Sequence, residues 1–232
     1  MTTHEPPAAG RQAPPDAPVL YAHPFSSYCQ KVFLAFYEKD VPFDLRLLSP
    51  EHPAAVAERH ALWPLDRFPV LRADGRTLAE SSIIIEWLDH RHRIGPRLVP
   101  ADFDAALEVR MLDRVFDNYV MNQVQAIFFD RMRPEETRDA HGEVQARAML
   151  DRAYRWLDQR MTAREWAAAE SFSLADCAAA PALFYATWVH PFDAYGALSA
   201  YYRRLLARPA FVRCVEGARP YRNLSPIEPP AG

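Results

Sequence analysis

The sequence has few cysteines and few glycines, and each shortage excludes a class of protein. Three cysteines at wide spacing, Cys29, Cys177 and Cys214, are an odd number and indicate neither a disulfide framework nor a zinc site. Seven glycines among 232 residues leave few positions for a glycine-rich phosphate loop. Because unpaired cysteines are typical of reducing compartments, we expect a cytoplasmic protein.

A long apolar run and a strong charge bias are also lacking. The longest apolar run, Cys177 to Val189, contains Pro181 and is shorter than the roughly 18 residues that span a bilayer. Lys31 and Lys39 are the only lysines. With 27 basic and 30 acidic residues the formal charge is -3, so the sequence lacks the excess of basic residues that is typical of nucleic-acid-binding proteins. No pair of histidines has the spacing of a zinc site. We therefore expect no membrane segment, no nucleic-acid partner and no metal.

The composition that remains is that of a globular protein with two irregular ends. Hydrophobic residues make up 50% of the chain and charged residues 25%. Residues 1–17 are rich in proline and poor in bulky apolar side chains, which predicts a disordered tail without the apolar stretch of a signal peptide. Residues 219–232 contain four prolines and predict an irregular tail.

Residues 18–93 alternate between strand and helix patterns. A β-type run at 19–21 is followed by a helical pattern at about 28–39 and an alternating run at 43–47. Two strands joined across a helix predict a parallel βαβ unit. A short helix is predicted over 53–61.

The second half of this α/β domain has clearer local signals. Asp74-Gly75 lies between two extended runs, and this dipeptide is favoured in two-residue β-hairpin turns. Glu80-Ser81-Ser82 precedes an apolar helical pattern, so a serine is predicted to cap a helix that runs to about His92. The predicted order is βαβ, a short helix, a hairpin and a helix.

The pattern changes to helices alone after a linker at 94–100. Residues 101–218 show long helical periods and no strand pattern, which predicts an all-α domain. Asp102 or Asp104 can open its first helix. In the segment Ser173-Leu174-Ala175-Asp176 a serine stands three residues before a carboxylate. This spacing is nearly that of a capping box, and it predicts a helix N-terminus at this point.

The order of these elements, together with four short segments, resembles the soluble glutathione S-transferases over about residues 18–218. The segments are Ser26-Ser27-Tyr28-Cys29-Gln30-Lys31-Val32, Arg67-Phe68-Pro69-Val70-Leu71, Glu80-Ser81-Ser82 and the box from Ser173 to Asp176. Each is weak alone, whereas their order and spacing together are specific. The resemblance is to bacterial, serine-type members, theta-like or zeta-like, and it implies a thioredoxin-like α/β domain followed by an all-α domain.

Glu80-Ser81-Ser82 has a chemistry of its own. A helix N-terminus offers free N–H groups and the positive end of a dipole, and with the serine hydroxyls this arrangement suits a carboxylate. The Glu80 carboxylate can accept from an ammonium group. The resemblance implies that Glu80 and Ser81 hold the γ-glutamyl end of glutathione, whereas the alternative is a plain helix cap beside a solvated carboxylate.

The Phe68-Pro69 bond is predicted differently by sequence and by resemblance. Only about 5–6% of X-Pro bonds in folded proteins are cis, so the sequence alone predicts trans. The resemblance implies a cis bond that turns the Phe68 backbone toward the cysteinyl main chain of the ligand. It also implies Arg67 near the glycyl carboxylate, for which a solvent-exposed arginine is the alternative, and His52 among the residues that bind glutathione.

Ser26 lies between the first strand and the following helix. There a hydroxyl and the helix N-terminus can both stabilise a thiolate. The resemblance implies that Ser26 activates the glutathione thiol, with Ser27 as its rival because a one-residue shift in register would exchange them; plain helix caps are the alternative for both. Cys29 completes a Ser-x-x-Cys segment, in which a two-thiol redox cycle is impossible, and we expect it to be a buried cysteine.

The resemblance implies a glutathione-dependent transferase that acts as a homodimer with glutathione as cosubstrate. The thiolate would attack a small hydrophobic electrophile or a peroxide. Phe25, Arg114, Tyr119 and Trp188 could line the electrophile pocket, and core packing is the alternative for the residues on the helices. Two other functions stay open: a glutathione-dependent isomerase or dehalogenase, and a non-catalytic ligand-binding or regulatory protein of the same fold.

Overall fold

The computed structural model of the protein describes residue 14 and residues 16–228. The predicted disorder of residues 1–13 and 15 lies outside the described residues, as do residues 229–232 of the predicted irregular end. Within the described part, strands and helices alternate as far as residue 91, and only helices follow. This is the predicted architecture of a thioredoxin-like α/β part followed by an all-α part.

Four strands form one mixed sheet in the order β2-β1-β3-β4. They are β1 (Val19–Ala22), β2 (Asp44–Leu47), β3 (Val70–Ala73) and β4 (Arg76–Ala79). β2 runs parallel to β1, which confirms the βαβ unit, and β3 runs antiparallel to both of its neighbours. Asp74 and Gly75 both have positive φ and form the predicted hairpin turn.

Three helices accompany the sheet. They are α1 (Ser27–Glu38), α2 (Pro53–Leu62) and α3 (Ser81–Arg91). The predicted serine cap of α3 is wrong, because β4 runs into α3 through a single connecting residue, Glu80, which therefore takes the cap position. Both serines lie inside the helix, and no side chain caps it.

Six helices of the described residues form the second part. They are α4 (Phe103–Val115), α5 (Asn122–Arg131), α6 (Ala140–Met161), α7 (Leu174–Val189), α8 (Gly196–Leu206) and α9 (Pro209–Ala218). Asp102 rather than Asp104 caps α4, because its carboxylate accepts from the N–H of Ala105. Residues Phe116–Met121 form a π-helical segment that joins α4 to α5 without a loop. Short π-helical turns of this kind are frequent at functional sites.

Helix α7 forms the centre of the core. Nearly all of its side chains are buried, and it packs against α1, α4 and the π-helical segment. The predicted box at its N-terminus is confirmed, since Ser173 and Asp176 cap each other's main chain. The buried Asp176 carboxylate also accepts from the Ala167 N–H at 2.9 Å and the Tyr201 hydroxyl at 2.6 Å.

The linker between the two parts is fastened by a buried ion pair. The Lys39 ammonium lies 2.9 Å from the Asp89 carboxylate and donates to the Pro96 carbonyl at 3.0 Å. The same carboxylate accepts from the main-chain N–H groups of Leu98 and Val99 at 2.9 and 3.3 Å. The linker is therefore held in place by side chains of the α/β part.

The prediction of an irregular end is wrong for residues 219–224. These residues form a 3₁₀-helical segment, Arg219–Leu224, which continues directly from α9. The segment returns to the α/β part, where the ring of Tyr221 packs edge-on against that of His23, 4.6 Å away between centroids. Among the described residues, no helix is both long and apolar enough to cross a bilayer.

Candidate functional site

The register of the sheet brings four segments to one of its ends. Tyr21 near the end of β1 pairs with Val70 at the start of β3, and Val70 pairs with Ala79 at the end of β4. Ala22 at the end of β1 pairs with Leu47 at the end of β2. Four segments therefore meet at this end of the sheet: those that follow β1, β2 and β4, and the one that precedes β3. They carry the predicted residues Ser26, His52, Arg67, Phe68, Pro69, Glu80 and Ser81.

The turn that carries Ser26 is organised by His23. The main-chain N–H of His23 points at the Cys29 thiol, 3.5 Å from the sulfur, and its carbonyl accepts from the Ser26 N–H at 3.0 Å. Its ring Nδ1 accepts from the Phe25 N–H at 3.1 Å, so the neutral ring carries its proton on Nε2. Burial lowers the pKa of His23 below its usual range, which favours this neutral form.

Two further side chains, Gln30 and Tyr185, hold the Ser26 turn in place by hydrogen bonds. The amide of Gln30 donates to the Pro24 carbonyl and to the Tyr185 hydroxyl, both at 3.0 Å. The Tyr185 hydroxyl in turn donates to the Phe25 carbonyl at 2.7 Å. Because Tyr185 belongs to α7, the core helix of the second part supports the position of the turn.

Ser26 and Ser27 have different surroundings. Ser26 is half-buried at the cap of α1, with extended φ and ψ, and its hydroxyl oxygen accepts from the Cys29 N–H at 3.4 Å. Ser27 is the first residue inside the helix and is buried. Cys29 is fully buried as expected, and burial raises the pKa of its thiol to about 12 against the smaller opposing effects of Ser26 and His23. Its thiol is therefore protonated at neutral pH.

The N-terminus of α3 has no side-chain cap among the described residues. Glu80 is exposed, and its main chain has φ of 70°, which is rare for a residue other than glycine. Ser81 is buried beside it. Since no side chain caps the helix, the first N–H groups of α3 remain available for hydrogen bonds. A strained residue at such a position is the kind of feature that functional sites retain.

The segment before β3 presents both main chain and charge. The Phe68-Pro69 bond is cis, as the resemblance implied, and Pro69 is buried. Phe68 is partly exposed, and Arg67 is exposed without an ion pair to the described residues. His52 is also exposed at the cap of α2, where its Nδ1 lies 2.9 Å from the Ser49 hydroxyl.

An aromatic wall stands beside the Ser26 turn. The ring of Phe25 lies 6.4 Å from that of Phe128 on α5, 5.6 Å from Tyr185 and 6.0 Å from Trp188. Two of the predicted pocket residues, Phe25 and Trp188, are thus brought together. Phe128 was not predicted from the sequence. It lies in an apolar helical run, and such a pattern does not indicate which residue of the α/β domain its side chain contacts.

Arg114 and Tyr119 take no part in the ring contacts of this wall. The Arg114 guanidinium contacts the carboxylates of Asp113 and Asp117 at 2.7 and 2.6 Å, in a cluster that also contains Lys31. Tyr119 is half exposed and makes no aromatic contact within the described residues. Within the part of the chain that the structure describes, neither side chain makes a ring contact with Phe25, and their place in the pocket stays a prediction.

Tyr28 bridges the two parts of the molecule and was missed by sequence reasoning. Its hydroxyl donates to the Asn122 side-chain oxygen at 3.0 Å, at the start of α5. Burial raises the pKa of Tyr28, with Asp117 as the next contributor and Glu80 among the nearby charges. Its place inside the Ser26 to Val32 segment was the only sequence signal available. No group of three or more metal-ligating side chains occurs among the residues described.

Comparisons with known proteins agree with this geometry. A family model described as the N-terminal domain of glutathione S-transferase matches residues 20–97, and one described as its C-terminal domain matches residues 120–209. A curated relative, probable maleylacetoacetate isomerase 2 of Drosophila melanogaster, is 24% identical over 84% of this chain and 86% of its own length. Maleylacetoacetate isomerase of Rattus norvegicus is 32% identical, over 41% of this chain and 45% of its own.

Two solved structures give the same result over most of the chain. A glutathione S-transferase from Methylobacillus flagellatus KT, crystallised with GSH bound, is 31% identical over 85% of this chain and 98% of that chain, with a TM-score of 0.77. A glutathione S-transferase from Methylobacterium radiotolerans, in complex with glutathione sulfonate, is 31% identical over 86% of this chain and 94% of that chain, with a TM-score of 0.74. This chain therefore belongs to the glutathione S-transferase family.

Proposed function

We propose that the protein binds glutathione at the end of the sheet and activates its thiol for transfer to a small electrophile. The observation that carries the proposal is the meeting of a serine-capped helix, an open helix N-terminus and a cis-proline segment at one sheet end. The two solved relatives bind GSH and glutathione sulfonate, as their descriptions state. Glutathione is then the cosubstrate of this chain.

The zwitterionic end of glutathione would lie at α3. The open N–H groups and helix dipole suit its γ-glutamyl carboxylate, and the exposed Glu80 carboxylate suits its ammonium group. The Phe68 main chain would pair with the cysteinyl main chain. Arg67 and His52, both exposed at the same sheet end, are the groups we assign to the glycyl carboxylate.

Ser26 is the residue that we assign to thiol activation. Its oxygen accepts from the helix, so its own O–H can donate to a thiolate placed at the start of α1. A free thiol has a pKa of about 8.5 and is mostly protonated at neutral pH. A hydroxyl donor together with the helix N-terminus stabilises the thiolate form, which is the nucleophile.

The exposed end of the aromatic wall is the site that we assign to the second substrate. Phe25 lies directly before Ser26 and is only partly buried, so an apolar electrophile resting on it would be close to the thiolate. Holding the two reactants together raises their effective concentration and lowers the barrier to reaction. The same thiolate would attack one oxygen of a peroxide, which breaks the O–O bond, releases an alcohol and leaves the sulfenic acid of glutathione.

The curated relatives favour isomerisation as a second candidate. Their names describe isomerases of maleylacetoacetate, a cis-enone acid. Addition of the thiolate to the double bond would permit rotation about the resulting single bond, and elimination would return the trans isomer and free glutathione. Turnover on a panel of aryl halides, peroxides and cis-enone acids distinguishes the two activities.

The decisive experiment measures the pKa of the bound thiol. Thiolate absorbance of glutathione on the wild type should titrate well below the free value, and Ser26→Ala should return it toward about 8.5 with a ten- to hundredfold loss of kcat/KM. Ser27→Ala is the matched control and should retain the lowered value. A lowered thiol pKa that persists in Ser26→Ala and is lost in Ser27→Ala would contradict the assignment. Tight binding without a lowered pKa in the wild type would favour a non-catalytic role.

We further propose that two copies associate through α4. Phe103, Leu107 and Met111 are spaced four residues apart and therefore share one face of the helix, and all three are exposed. An exposed apolar stripe of this kind is typical of a protein interaction surface. This supports the homodimer expected from the resemblance.

A further inference from the structure

The ammonium group of Lys31 lies where four elements meet. Lys31 belongs to α1, and its side chain is only 1% exposed. Its Nζ is 2.5 Å from Asp113 on α4, 2.8 Å from Asp117 on the π-helical segment and 3.0 Å from the Ser82 hydroxyl on α3. An ammonium group has three N–H donors. Two of these donors bond to Ser82 and Asp117, Asp113 completes the group as an ion pair, and each of the three partners lies on a different element.

The remaining contacts close this group, which we call the Lys31 cluster: Lys31, Ser82, Asp113, Arg114 and Asp117. The Ser82 hydroxyl donates to Asp113 at 2.8 Å, and Arg114 contacts both carboxylates. Two cations and two carboxylates give the cluster a formal charge of zero. Buried ion pairs of this kind contribute little net stability compared with apolar packing, but they define the geometry of the groups they join.

The cluster lies close to both helix N-termini of the site. Lys31 follows Ser26 by five residues, which is about 7.5 Å along a helix axis. Ser82 follows Ser81 directly on α3. The cluster therefore connects the helix that we assign to the thiol with the helix that we assign to the γ-glutamyl end. Through Asp113 and Asp117 it connects both to the all-α part.

We propose that Lys31 is a positioning residue for glutathione, an inference that rests on the function proposed above. Its hydrogen bonds to Ser82 and Asp117 and its ion pair with Asp113 fix the separation between the N-termini of α1 and α3, so that the thiol and the γ-glutamyl group of one ligand are held at once. The π-helical segment takes part because it supplies Asp117. Lys31 does not touch the ligand.

Ser82→Ala is the first test, because it removes the α3 contact and leaves all four charges. We expect the Kd of glutathione, measured by calorimetry, to rise about five- to twentyfold, since a hydrogen bond to charged groups is lost. Ser199→Ala is the matched control. The Ser199 hydroxyl is also half-buried and bonded, to the Phe192 carbonyl at 3.2 Å, but it lies on α8 away from the site. Its loss should leave the Kd unchanged.

Lys31→Arg and Lys31→Met separate positioning from stability. Arginine keeps the charge, but its planar fork cannot contact three oxygen atoms arranged around one nitrogen. Lys31→Arg should therefore recover the melting temperature lost in Lys31→Met without recovering glutathione affinity. If Lys31→Met does not fold, the comparison of Lys31→Arg with Ser82→Ala remains sufficient.

The outcomes distinguish this inference from the proposed function. If Ser82→Ala and Lys31→Arg both keep the wild-type Kd for glutathione but have lowered melting temperatures, the Lys31 cluster has only a structural role. That result would overturn the inference and leave the proposed function unaffected. A wild-type protein that does not bind glutathione would overturn the proposed function and the inference with it. A raised Kd in both variants and an unchanged Kd in Ser199→Ala would support the inference.

Discussion

His23 holds the Ser26 turn through its main chain and its ring at once. Its ring can accept from the Phe25 N–H only while Nδ1 carries no proton. Burial lowers the pKa of His23, so the folded protein takes up this proton less readily than the unfolded chain does. The turn that presents Ser26 is thus coupled to acid pH through one imidazole.

The sign of this coupling gives a prediction for stability. The unfolded His23 titrates at about pH 6.5, so stability should fall as the pH drops below that value and through the lower folded pKa. In His23→Asn, whose amide oxygen can still accept from Phe25, the melting temperature should fall less between pH 7.5 and 5.5. The exposed His90→Asn variant is the control. Equal pH slopes in His23→Asn and the wild type would contradict the prediction.

The positive φ of Glu80 gives a second prediction at this scale. Replacing a non-glycine residue at such a φ by glycine relieves strain of roughly 1–3 kcal/mol, so Glu80→Gly should unfold at equal or higher urea concentration. The same change removes the carboxylate that we assign to the ligand ammonium, so the Kd of glutathione should rise about tenfold or more. Stability and affinity are expected to move in opposite directions.

Asp74→Gly is the control for this pair of effects. Asp74 also has a positive φ, of 52°, but lies in the hairpin turn at the other end of the sheet. Its replacement should relieve strain without weakening glutathione binding. A similar loss of affinity in both variants would mean that the loss in Glu80→Gly does not report the removal of the Glu80 carboxylate.

At the scale of elements, sequence patterns were most successful where local chemistry decides the structure. The Asp74-Gly75 turn and the box at α7 depend on neighbouring residues, and both are present as predicted. The predicted serine cap of α3 is wrong, because the length of the connection between β4 and α3, and not residue preference, determines which residue caps the helix. The 3₁₀ segment at 219–224 contacts His23, which is distant in sequence, and no local pattern predicts such a contact.

The candidate site shows the same division. The segments around Ser26, Phe68 and Glu80 could be found from short motifs, and sheet register explains why they meet. Phe128 and Asn122 could not be predicted as site residues from the sequence. Their contacts with Phe25 and Tyr28 depend on how α5 packs against the other part of the molecule. Contacts between distant elements leave no local pattern.

The apolar face of α4 gives a prediction for association. Leu107→Asp places a charge at the centre of the exposed stripe, so an expected dimer should become a monomer in size-exclusion chromatography with light scattering. Val212→Asp, which charges another exposed apolar position on α9, should leave the dimer intact. A dimer that survives Leu107→Asp would mean that the association surface lies elsewhere.

At the scale of the whole molecule, both lysines lie at the junction of the two parts. Lys31 joins α1 and α3 to the all-α part, and Lys39 holds the linker through Asp89. Each ammonium group is buried and paired with a carboxylate. The many arginines of the chain, by contrast, supply its exposed ion pairs, such as that of Arg91 with Asp74.

This distribution makes lysine acylation a direct measure of opening between the two parts. An amine-directed reagent meets no exposed lysine side chain on the folded protein, because Lys31 and Lys39 are the only two. Acylation of either one requires its surroundings to separate first. Peptide mass spectrometry over time would therefore follow opening at the ligand-binding helices and at the linker independently, and bound glutathione should slow the modification of Lys31 more than that of Lys39.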